Sequence, residues 1–173
     1  MTRLTKEEKV VWGKDLEQKT KQYVEKYLGY TITPTEYTFD SVDFTNTEVS
    51  STQEVKGRPK MRTPMDKTQA PVIQYSTDWD TWMLPYCKIE KHKAKKLYFF
   101  YYWESENSLW VSEYDAKIYS TFRKSVPADR PTKQLQIYIP KKHWVDITDA
   151  VGLKRIPIVK PKPVPLFITE DAD

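Results

Sequence analysis

A chain of 173 residues with 39% hydrophobic and 14% aromatic side chains can bury one substantial core but is short for two. Its formal net charge of +4 and pI near 8.9 suit a polyanionic partner without requiring one. A single cysteine, Cys87, excludes an internal disulfide framework, and with only His92 and His143 beside it a zinc site built from Cys and His lacks ligands.

No apolar run approaches the roughly 20 residues that span a bilayer, and MTRLTKEEKV at the N-terminus lacks the apolar core of a secretory signal. An intracellular, reducing compartment is therefore expected, cytoplasm or nucleus. The first element is a helix over 5–28. Thr5 and Glu8 form a capping-box pattern, Glu7 and Glu8 suit the first turn, and Leu28–Gly29 supplies a stop. Val10, Gly13, Glu17, Val24 and Leu28 fall near one stripe, which places a carboxylate on an otherwise small or apolar face.

TITPTEYTFDSVDF (31–44) is rich in β-branched and aromatic residues and reads as strand, interrupted at Pro34. TNTEVSS reads as a hairpin connection, and TQEVKGR (52–58) as the next strand, ending at Gly57. Three prolines mark 59–77 as loop or irregular crossing, and WMLPYCKIEKHKAKK within 78–95 as a Pro-interrupted helix or an irregular segment. KLYFFYYW (96–103) is the clearest strand, ESENS a turn, LWVSEYDA (109–116) its hairpin partner, and LQIYIP (135–140) a further strand. The order of elements predicts one α/β (α+β) domain over 1–154, followed by a Pro-rich, acidic-ended tail over 155–173 that is suited to docking a protein partner.

Glu54 and Lys56, two apart on a strand, share a face. A hairpin brings Asp43 opposite Glu54. Asp40 is a rival that faces the other way on a regular strand, and the choice between them stays open. A Glu-x-Lys triplet occurs three times in the chain, and by itself it is an ordinary solvated ion pair. Only EVK lies in a strand, after an aspartate-bearing strand and a helix with an inward glutamate. Such a carboxylate set suits Mg²⁺ or Mn²⁺ and phosphodiester hydrolysis, with the lysine stabilising developing charge or orienting water.

Gly13-x3-Glu17, Leu28–Gly29–Tyr30, VDF (42–44) and EVKGR (54–58) together resemble the motifs of the PD-(D/E)XK, or restriction-endonuclease-like, nucleases. The likeness covers roughly 10–140 and is nearest to small nuclease-like proteins of phages and large DNA viruses, whose Glu-x-Lys strand precedes segments like WMLPYCKIEK and LYFFYYWESENSLWVSEYD. No proline precedes either aspartate, a departure from the family pattern. The resemblance implies a central mixed sheet flanked by helices and metal-dependent cleavage of DNA, more than RNA, acting in a host cell if the chain is virus-encoded. It also implies Asp43 and Glu54 as metal ligands, Lys56 as catalytic lysine and Glu17 as accessory carboxylate.

Arg58, Lys60, Arg62 and Lys67 follow the motif as solvated loop residues or as phosphate contacts, and Lys88 is placed by the resemblance near the site. Lys91, Lys93, Lys95 and Lys96 read as a solvated face. Tyr98–Trp103 reads as core, with Trp79 and Trp82 the exposed aromatics, and Cys87 as structural. Cutting both strands of a duplex favours a homodimer. The alternative function is a non-catalytic nucleic-acid-binding or assembly protein on the same fold.

Overall fold

The protein is described here by a computed structural model covering residues 6–35, 42–62, 72–128 and 133–158. Its helices are α1 (Lys6–Leu28), α2 (Cys87–Glu90) and α3 (Ala116–Tyr119). Its strands are β1 (Thr33–Pro34), β2 (Phe44–Asn46), β3 (Ser51–Arg58), β4 (Met61–Arg62), β5 (Val72–Ile73), β6 (Thr81–Pro85), β7 (Lys96–Trp103), β8 (Ser108–Glu113), β9 (Lys124–Ser125), β10 (Gln136–Pro140) and β11 (Val145–Asp146). No helix among these residues is long and apolar enough to cross a membrane.

The main sheet is mixed, in the order β1-β2-β3-β7-β8-β11. Strands β3 and β7 run parallel over their full lengths, Ser51 beside Lys96 through to Arg58 beside Trp103, while the other neighbours are antiparallel. The run KLYFFYYW is apolar without alternation because both of its faces are covered. Phe100 and Tyr102 join Leu16, Val24, Val55 and Leu109 beneath α1. Phe99, Tyr101 and Trp103 join Trp82, Ile137, Ile139 and Trp144 on the opposite face.

That second face is covered chiefly by another sheet, β6-β10-β9, with Ile89 of α2 and Tyr119 of α3 packed beside it. The fold is thus α+β with a mixed central sheet, and on this face a second sheet stands where helices alone were expected. The reason lies in 78–95. WMLP forms β6, paired antiparallel to β10 with Trp82 opposite Ile139 and Leu84 opposite Ile137, so alternate side chains enter the core. The helix there shrinks to the single turn α2. Trp82, expected to be exposed, is 0% exposed and packs against the rings of Tyr101, Trp103, Trp110 and Trp144.

Helix α1 matches its expected bounds closely, but its buried stripe is shifted. Leu16, Thr20 and Val24 are buried, with Trp12 and Tyr23 packed against the cluster, whereas Val10 is 52% exposed. The hairpin β2–β3 forms as expected, with Ser50 in the left-handed region of its turn. Strand β3 does not end at Gly57; it continues to Arg58. A Cβ at Gly57 would lie 2.3 Å from Leu16 Cδ2 and 2.7 Å from Trp12 Cη2, so the missing side chain is what lets α1 lie against β3. Short β4 and β5 pair within the expected loop, and Arg155 reaches back to Glu106 and Asp146.

Candidate active site

The β2–β3 register pairs Phe44 with Gln53, so Asp43 falls one position beyond the ladder, next to Glu54. There β2 has ended, and the Val55 N–H on the open edge of β3 needs an acceptor. Asp43 Oδ2 takes it at 2.7 Å, while the Asp43 N–H donates to the Gln53 carbonyl at 3.0 Å. A buried strand edge thus fixes this carboxylate by satisfying a backbone donor. Asp40 lies outside the described residues.

Glu54, Lys56 and Arg58 line one face of β3 beside Phe99, Tyr101 and Trp103 of β7. Gln53 and Val55 point the other way and are buried, as the alternation of the strand requires. Glu17 reaches the site from α1 and hydrogen-bonds Asp43. Lys88, on α2, places its Nζ 3.6 Å from Glu54 Oε1, with both side chains nearly buried. The expected Glu17, Asp43, Glu54 and Lys56 are therefore neighbours, and Lys88 joins them. Lys60 is exposed, and its backbone N–H donates to Glu104; Arg62 lies on β4; Lys67 falls outside the described residues.

Three carboxyl groups packed this closely resist ionisation together. Burial pushes Glu54 up to about 8; the Asp43 charge adds to the rise, and Lys88 and Lys56 oppose it. Burial also raises Glu17 to about 8, helped by the charge of Asp43 and the hydrogen bond to it. Asp43 is raised too, chiefly by burial, but less freely, because the Val55 N–H, Glu17 and both lysines stabilise its anion.

Among the described residues no three acidic, histidine or cysteine side chains converge as a ready cage for an ion. Mg²⁺ does not need such a cage, since it binds through one or two carboxylates and keeps several waters. The donor set fits that requirement. Glu54 Oε2 is buried without a hydrogen-bond partner, an oxygen that a hard cation could take beside the Asp43 carboxylate, whose Oδ2 accepts from the Val55 N–H.

The supports of Arg58 were not legible beforehand. Its Nε donates to Tyr101 Oη at 2.8 Å, and its guanidinium lies over the rings of Trp79 and Tyr101 at 5.1 and 5.8 Å. The only sequence signal was the alternation that puts Arg58 on the Glu54 face. No family model matches the chain, and comparison with curated proteins and with solved structures finds no match.

Proposed function

We propose that the protein is a metal-dependent nuclease of the restriction-endonuclease-like type, hydrolysing phosphodiester bonds, with DNA favoured over RNA as substrate. The observation that carries the reading is the convergence of the Glu17, Asp43 and Glu54 carboxyl groups from a helix, a strand end and a strand, with Lys56 beside them. Stability alone gives little reason to crowd a buried carboxyl group, Glu54, against two half-buried ones, Asp43 and Glu17. Asp43 and Glu54 would hold Mg²⁺ or Mn²⁺, which when bound polarises a phosphoryl oxygen and lowers the pKa of a water.

Lys56, on the Glu54 face, orients the attacking water or stabilises the charge that develops on the phosphoryl oxygens. Glu17 holds Asp43 in place through its proton and supplies a proton-transfer group beside the reacting centre. Lys88 offsets the Glu54 charge until a cation takes that role. In plasmid cleavage with Mg²⁺, Glu54→Ala and Lys56→Ala should each lower the rate by about 100-fold or more while the proteins remain folded. Undiminished cleavage by either variant would refute the assignment.

The same Lys88–Glu54 pair favours a second reading, because it partly neutralises the site without any metal. A non-catalytic nucleic-acid-binding protein would show salt-sensitive binding, no cleavage, and no rise in melting temperature with Mg²⁺ or Mn²⁺.

A further inference from the structure

Arg58 follows Lys56 on the same face of β3, roughly 7 Å further along the strand. Most surface arginines sample many rotamers, but this one is held by two aromatic residues. Tyr101 Oη accepts from Nε at 2.8 Å, and the guanidinium is flanked by Trp79 and Tyr101. The supports are themselves fixed: Tyr101 is 0% exposed and stacks on Trp103, against whose ring Trp79 packs edge to face. No oxygen among the described residues accepts from either Nη of Arg58. The neighbouring carboxylate of Glu104 is occupied, receiving the Lys60 N–H at 2.7 Å and the Trp12 indole at 3.4 Å.

A guanidinium held through Nε by Tyr101 and lying over the Trp79 ring can present its two outer nitrogens as a fork, the geometry that matches a phosphate bidentately. Its rotamer entropy is already lost on folding, so capture of an anion costs less. We propose that Arg58, backed by Tyr101 and positioned by Trp79, is a preformed site for the phosphodiester flanking the one that is cut. The proposal rests on the nuclease reading for the word "flanking", while the phosphate chemistry stands on the Arg58 geometry. Lys60 and Lys88 are not equivalent to it, since the first is exposed and the second is paired with Glu54.

The test compares the wild type with Arg58→Ala, Arg58→Lys and Trp79→Leu, using anisotropy of a fluorescein-labelled DNA duplex across a salt series in EDTA, where nothing is cut. Arg58→Ala should weaken binding roughly tenfold and flatten the log–log salt slope by about one unit. Arg58→Lys should retain the slope but lose affinity, because it keeps the charge and loses the fork. Trp79→Leu should weaken binding by roughly threefold with the slope unchanged, as it frees the guanidinium without removing charge. In Mg²⁺, Arg58→Ala should raise KM and leave kcat close to the wild-type value.

Equal affinity and slope for the wild type and Arg58→Ala would overturn the phosphate site, as would an Arg58→Lys protein indistinguishable from wild type. Wild-type binding that responds to Arg58 as stated, without any cleavage in Mg²⁺, would sink the nuclease reading and keep the phosphate site. A melting curve for each variant identifies loss of fold, and Arg58→Lys, which keeps the aliphatic stem, covers the case in which Arg58→Ala unfolds.

Discussion

Asp43 combines two roles that pull in different directions. Its carboxylate satisfies the Val55 N–H at a strand end, a structural duty, and the same bond holds it beside Glu54. Glu17 and Glu54 are each pushed up to about 8, chiefly by burial. A carboxyl whose pKa is raised on folding binds more protons in the native state, so stability falls as pH rises between the unfolded value, near 4.5, and the folded one. The metal-free protein should therefore lose stability from about pH 5 to about pH 9, as read by denaturant titrations at a series of pH values. Glu17→Gln, which keeps a donor toward Asp43 and removes a charge, should make that decline shallower. Added Mg²⁺ should do so as well by compensating the anions, and an unchanged slope in both experiments would count against the crowded-carboxylate account.

At the scale of elements, the contact between α1 and β3 sets where Glu17 lands. Gly57 is the close-packing point, and a methyl there meets Leu16 and Trp12 at distances that real Cβ atoms do not show. Gly57→Ala should cost about 1–3 kcal/mol in denaturant unfolding and displace α1, with part of the loss recovered when Leu16 is also truncated to Ala. Gly13 is the contrasting case: it lies within α1, and an added Cβ has nothing within 4 Å. Gly13→Ala should stabilise the protein by roughly 0.5–1 kcal/mol through helix propensity. The glycine of the Gly13-x3-Glu17 pattern is thus not required for packing within the chain, whereas the one in EVKGR is.

For the whole molecule, the main sheet is held between α1 on one side and the β6-β10-β9 sheet on the other. The aromatic cluster centred on Trp82 joins the two sheets and also underlies Arg58 through Tyr101, Trp103 and Trp79. Trp82→Ala should cost about 3–5 kcal/mol by differential melting or denaturant unfolding, since it removes a fully buried ring from contact with four others. It should also weaken Arg58-dependent DNA binding, although Trp82 does not touch Arg58, because the platform beneath the guanidinium would loosen.

The sequence by itself determined α1, the β2–β3 and β7–β8 hairpins, β10 and the buried character of the run Tyr98–Trp103, in which Tyr98 alone is half-buried. These are set by local signals: caps, turn residues, periodicity and strand-forming side chains within a short window. It also put Glu54 and Lys56 on one face, because strand alternation needs only a local backbone; the continuation of β3 to Arg58 adds that residue to the same face. The tertiary structure decided the rest. WMLP reads as part of a Pro-interrupted helix or an irregular segment in isolation, and its pairing with β10, some fifty residues away, makes it strand. Val10 and Leu16 are both apolar, and only the angle at which α1 crosses Gly57 chooses Leu16 for the core. That Lys88 faces Glu54, and that Arg58 rests on Tyr101 and Trp79, depends on strands brought together from distant parts of the chain. No local window contains both partners of those contacts.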